Sequence, residues 1–114
     1  MKINMTNQGD INVLALSGEL DYHSSPELRE KLSELTAKQA PKILVNLSGI
    51  DYMDSSGIAT FVEAFQKTKR YQGRLILAEL TATVRGVFEI AKLDSIFEIS
   101  PTVVEAMALL GAKT

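Results

Sequence analysis

A single α/β domain covering residues 1–114, with a mixed sheet of four to five strands and about four helices, is the fold this sequence predicts. Three observations carry the expectation. Short apolar runs rich in branched side chains alternate with segments whose apolar residues recur every three to four positions. The strand, helix, strand succession from Ile43 to Ala78 requires a parallel pair joined by a right-handed crossover. A chain of 114 residues, 46% hydrophobic and 23% charged, suits one compact domain that buries its core without disulfides or metal.

Taken in order, Lys2 to Thr6 and Ile11 to Ser17 read as a hairpin around Gln8-Gly9-Asp10, and Gly18-Glu19-Leu20-Asp21 then reads as a turn. Ser24-Ser25-Pro26-Glu27 opens a helix, with Ser24 and Glu27 at capping-box spacing, Pro26 in the first turn and Leu28, Leu32 and Leu35 as its apolar stripe. Either serine could be the cap. Pro41 closes this unit, and Lys42 to Leu47 forms a buried strand. From Ser56 to Tyr71 the spacing of Ile58, Phe61, Val62 and Phe65 predicts an amphipathic helix, which Gln72-Gly73 ends. Arg74 to Ala78 is the next strand. A helix from Thr81 to Ala91 turns Val84, Val87, Phe88 and Ala91 inward. A short strand, Ile96 to Ile99, leads to a helix started by Ser100-Pro101, with Val103, Val104, Met107 and Leu110 inward before Gly111.

Composition narrows the function. Without cysteine there is no disulfide scaffold, thiol catalysis or thiolate metal site, which fits a reducing cytosol. The first residues run straight into alternating sequence with no signal-peptide block, and no run approaches the roughly 18 apolar residues of a membrane span, so the expectation is a cytoplasmic protein with no membrane partner. The sequons Asn4-Met5-Thr6 and Asn46-Leu47-Ser48 fall in strands and read as chance. A net charge of -2 argues against a nucleic-acid partner, and the one basic cluster, Lys67, Lys69, Arg70 and Arg74, suits a helix end exposed to water. Nothing requires more than a monomer in the free state, and no cofactor is called for.

The chemistry concentrates at Met53-Asp54-Ser55-Ser56-Gly57-Ile58, where a buried strand meets the start of an amphipathic helix. Asp54 or Ser55 can cap that helix. If the strand ending near Ser17 lies beside Ile43–Leu47 and parallel to it, Asp21-Tyr22-His23-Ser24 emerges at the same end, beyond the carboxyl edge of the sheet. A hydrolase built on Ser55 and the one histidine, His23, lacks the G-x-S-x-G elbow and room for a closed pocket. A phosphoryl-accepting acidic pocket of Asp21, Asp51 and Asp54 lacks a lysine after Leu77, and no glycine spacing makes a P-loop. The remaining use is Ser55 as a kinase substrate: a phosphate at a helix start accepts from unpartnered N–H groups, leaves the fold intact and changes the surface charge by about -1.5 to -2.

Leu16-Ser17-Gly18-Glu19-Leu20-Asp21, Ile43-Leu44-Val45-Asn46-Leu47, Asp51-Tyr52-Met53-Asp54-Ser55-Ser56-Gly57-Ile58 and Gly73-Arg74-Leu75-Ile76-Leu77, in this order, closely resemble the bacterial anti-sigma factor antagonists, the defining members of the STAS domain family. The likeness runs from about Ile3 to Leu110. It implies a non-enzymatic regulator of sigma-factor-dependent transcription that binds an anti-sigma factor with serine kinase activity and is released when its serine is phosphorylated. By the same likeness Ser55 is the modified serine, and a serine phosphatase restores it. Asp54, Ser56, Gly57 and Ile58, with the neighbouring loop Asp21, Tyr22, His23 and Ser24, match the partner-binding surface. ATP would be bound by the partner. STAS domains also serve as constitutive scaffolds or transporter-associated subunits, which is the alternative within the family.

Overall fold

A computed structural model describes residues 1–112. The elements follow the order β1 (Lys2–Gln8), β2 (Ile11–Leu20), α1 (Ser25–Ala37), β3 (Lys42–Met53), α2 (Ser55–Arg70), β4 (Arg74–Ala78), α3 (Ala82–Ile90), β5 (Glu98–Ser100) and α4 (Val103–Leu109). The strands lie side by side in sequence order, with β1 antiparallel to β2 and every later pair parallel. Sequential order with right-handed crossovers puts the three connecting helices on one face. That face holds the main core, where Leu28, Leu32 and Leu35 of α1, Phe61 and Ala64 of α2 and Val84 and Phe88 of α3 pack on Leu14, Leu16, Val45, Leu47 and Leu77. On the opposite face α4 covers Ile11, Leu44, Ile76 and Ala78 with Ala106 and Leu110.

Several boundaries differ from the sequence expectation, for local reasons. Gly18-Glu19-Leu20 is strand, not turn. The β2/β3 pairing shifts register between Ala15 and Ser17 and again between Gly18 and Glu19. Gly18 carries the φ of +101° that such an irregularity uses, so the glycine bends the strand without ending it. The same shifts carry β3 on through Ser48-Gly49-Ile50-Asp51-Tyr52-Met53, although its inward residues, Leu47, Ile50 and Met53, recur every third position.

At the other end of the chain, β5 begins at Glu98 and leaves Ile96 exposed. Ser100 is the last residue of β5, and the cap of α4 is Thr102, whose hydroxyl accepts from Glu105 N–H at 3.0 Å. The inward stripe of α4 is therefore Val103, Ala106, Met107 and Leu110, with Val104 facing water. In α3, Ala91 is exposed and serves as the C-cap.

Helix α2 keeps its expected stripe but adds two buried threonines. The Thr60 hydroxyl donates to Ser56 C=O at 2.9 Å and the Thr68 hydroxyl to Ala64 C=O at 3.0 Å, so both are buried with their polar atoms partnered. No helix among the described residues is long and apolar enough to cross a membrane.

Candidate functional site

Parallel pairing brings the carboxyl ends of β2 and β3 into register, with Leu20 opposite Met53. The two segments that leave them are therefore neighbours. Asp54 N–H donates to Leu20 C=O at 3.2 Å, which ties the start of α2 to the loop after β2. The topology expected from sequence, two loops converging on one helix N-terminus, is the one observed.

Asp54 is the cap of α2. Its backbone is extended, with φ -114° and ψ -170°, and its carboxylate accepts from Ser56 N–H at 2.9 Å. Its own C=O accepts from Gly57 N–H at 3.1 Å. The Ser56 and Gly57 N–H groups of the first turn are thus already engaged by Asp54. Gly57 allows α2 to sit close to the strand ends: a Cβ there would lie 2.8 Å from Met53 Cγ and 3.0 Å from Leu20 Cδ2 and Cγ. Ser55, first residue of the helix, is exposed, while Ser56 and Ile58 are half-buried.

The loop Asp21–Ser24 is held by its own aspartate. Asp21 Oδ1 accepts from His23 N–H at 2.9 Å and Ser24 N–H at 3.0 Å. The expected capping box is not formed. Ser24 is the N-cap residue of α1, but its hydroxyl makes no cap bond; it donates to Glu19 C=O at 2.8 Å and accepts from Asp21 N–H at 2.9 Å. The Ser24 backbone N–H holds the Asp21 carboxyl below its ordinary pKa. The Ser24 hydroxyl, the His23 N–H and the His23 charge add to it, against a partial desolvation that acts the other way. Tyr22 is 75% exposed and meets the His23 ring edge-on, with centroids 5.7 Å apart.

The two serines open onto different grooves. Ser56 lines one between α1 and α2, with Tyr22, His23, Arg29 and Ala59, about 440 Å³ in volume. Ser55 lines another between α2 and α3, with Ile58, Val87, Ile90 and Ala91, about 250 Å³. His23 and Ser55 therefore do not share a pocket, and the arrangement a serine hydrolase needs is not assembled. Among the described residues no group of three or more histidines and carboxylates is arranged to hold a metal ion.

Sequence reasoning passes over Arg29, whose Nε pairs with Glu63 Oε2 at 3.0 Å across α1 and α2, because nothing in the spacing links residues so far apart. It also passes over Ile90. That isoleucine lies off the inward stripe of α3, a signal that was available.

The STAS domain family model matches residues 2–106. The chain belongs to the STAS domain family. Within it, this STAS domain is 39% identical over 94 residues to the anti-sigma-B factor antagonist of Bacillus subtilis, covering 82% of the chain and 84% of that protein. Among solved structures it resembles the anti-sigma factor antagonist SpoIIAA in its unphosphorylated form, 27% identical with a TM-score of 0.73 and 96% of each chain covered. The phosphorylated form of SpoIIAA, from Bacillus, is 28% identical at the same TM-score, with 96% and 97% covered. An anti-sigma factor antagonist from Mycobacterium paratuberculosis shares the fold at a TM-score of 0.87, with 20% identity and 95% and 92% covered. The mixed five-stranded sheet with four helices is the fold of this family.

Proposed function

We propose that this STAS domain is an anti-sigma factor antagonist that works by partner switching. In its unphosphorylated form it docks an anti-sigma factor that is also a serine kinase, using the loop Asp21–Ser24 and the start of α2 from Asp54 to Ile58. The docked kinase transfers the γ-phosphoryl group of its ATP to Ser55. The bond to the bridging oxygen breaks, ADP leaves, a new P–O bond forms on Ser55 Oγ, and the hydroxyl proton passes to base or solvent. The product is released, and a serine phosphatase regenerates it. The domain itself acts by binding, not by catalysis.

One observation carries the reading: Ser55 is an exposed first helical residue at the point where the two strand-end segments are stitched by Asp54 N–H and Leu20 C=O. The names of the relatives supply the partner class, and a relative solved in both phosphorylation states supports the switch. The test compares Ser55→Ala with Ser55→Asp for binding the purified anti-sigma factor kinase of the same host. Ser55→Ala should bind as the unmodified protein does and Ser55→Asp should bind a hundredfold or more weaker, about 2.7 kcal/mol. Equal affinities, or no 80-dalton mass increase on incubation with kinase and ATP, would refute it.

A further inference from the structure

The two edges of the sheet are unlike. β5 has three residues and carries Glu98, whose carboxylate pairs with Arg74 of β4, and so short and charged a strand offers little to a neighbouring chain. β1 has seven residues, and its register with β2 runs unbroken from Lys2 opposite Ser17 to Gln8 opposite Ile11. It contains no proline and no bulge, its one charge, Lys2, stands at the end, and all its side chains but Ile3 are exposed. Among the described residues no strand pairs with its outer side. The two-residue turn Gly9-Asp10 makes its flanking residues, Gln8 and Ile11, a hydrogen-bonded pair. By alternation the N–H and C=O groups of Ile3, Met5 and Asn7 then point away from β2, toward the open edge.

We propose that β1 pairs with β1 of a second copy of this chain, antiparallel about a two-fold axis at Met5, to give one sheet of ten strands. The strand matches itself in this register. Met5 faces Met5, Ile3 faces Asn7, Asn4 faces Thr6 and Lys2 faces Gln8, so all seven residues pair and no like charges meet. Ile3 packs on the main core and Met5 lies opposite the core residue Leu14, which puts both on the helix side of the sheet. Pairing therefore lays two Met5 side chains, each 42% exposed, against one another. On the other side the Asn4 amide meets the Thr6 hydroxyl twice. Seven residues a side is well short of the about 20–30 that a stable interface uses, so the dimer is a weak one, forming near about 100 µM. Because β2 and β3 of the two copies run in opposite directions, the two Ser55 residues stand at opposite ends of the joined sheet and neither is covered. The pairing is thus independent of the proposed phosphoswitch and compatible with it.

Sedimentation equilibrium of the purified chain over a concentration series tests this with three variants. Met5→Pro removes an outward donor, Met5→Lys sets two cations against each other at the two-fold axis, and Ile96→Lys, at an exposed residue just before β5, marks the other edge. The wild-type mass should rise toward twice that of one chain, with a dissociation constant that both Met5 variants raise at least tenfold and Ile96→Lys leaves unchanged. Amide exchange of the wild type supplies a reading free of substitution: the Ile3, Met5 and Asn7 amides should exchange more slowly as concentration rises, while the Thr6 amide, already bonded to β2, should not change. A single-chain mass up to about 1 mM would overturn the proposal. So would a dimer that Ile96→Lys weakens and the Met5 variants do not, or one that forms without slowing the three outward amides.

Discussion

Replacing Gly57 by alanine should destabilise the domain, and the magnitude follows from three distances. The new methyl would stand 2.8 Å from Met53 Cγ and 3.0 Å from two atoms of Leu20, against about 3.5–4.0 Å for relaxed carbon contacts. Both neighbours are buried, and Met53 Cγ lies mid-chain, so neither can swing into water. Overpacking of this kind costs about 1–3 kcal/mol, and the upper half of that range applies here. Alanine returns up to about 1 kcal/mol of helix propensity, leaving a net loss of about 1–2 kcal/mol. Gly86 in α3 is the internal control: nothing lies within 4 Å of a Cβ there, so Gly86→Ala should stabilise by about 0.5–1 kcal/mol. Urea unfolding of both variants reads the difference as opposite shifts in midpoint at constant m-value. A Gly57→Ala midpoint equal to or above wild type would refute the claim that α2 must press against the ends of β2 and β3.

The helix cap and the loop aspartate yield two further measurements. Asp54→Ala should cost about 1 kcal/mol in urea unfolding by freeing Ser56 N–H, whereas Asp54→Asn, which can still accept that bond, should lose only a few tenths. Asp21 has a folded-state pKa below its ordinary value, so its contribution to stability is present above the unfolded-chain value and is lost as pH falls through the folded one. The Ser24 amide resonance, followed by NMR in an acid titration, should shift with a midpoint below the ordinary aspartate value, and Asp21→Asn should abolish that shift.

Element order is legible in this chain because each apolar run carries one clear period. Val45, Leu47 and Leu77 lie in short branched-rich runs and Phe61 and Phe88 lie on 3.6-residue stripes, and all five meet in one core. Boundaries are less legible wherever a residue with a familiar local meaning is used for a distant purpose. Gly18 reads as a turn, yet it serves an irregularity in the pairing with β3, a strand more than twenty residues away. Ser24 and Glu27 have capping-box spacing, yet the Ser24 hydroxyl finds Glu19 C=O, which local sequence cannot reveal. For the site, the convergence of Asp21–Ser24 with Asp54–Ile58 follows from parallel pairing alone. The groove of Ile58, Val87 and Ile90 does not, because it depends on how the end of one helix packs beside the start of another.

The location of the cap has a consequence for how the proposed switch would discriminate. With Ser56 N–H bonded to the Asp54 carboxylate and Gly57 N–H to the Asp54 C=O, a phosphate on Ser55 would compete with Asp54 for these donors and stand beside its negative charge. In water that costs little: two unit charges about 6 Å apart repel by roughly 0.7 kcal/mol. Covered by a partner, where the effective dielectric constant falls to about 20, the same pair repels by roughly 3 kcal/mol. The difference, about 2 kcal/mol for each unit of phosphate charge, is roughly thirtyfold in affinity. On the proposed switch, the free domain would tolerate a phosphate on Ser55 and the complex would not. Under the proposal Asp54 would join two functions that sequence alone leaves separate, since the carboxylate that starts the helix would also make a phosphorylated Ser55 incompatible with a partner's surface.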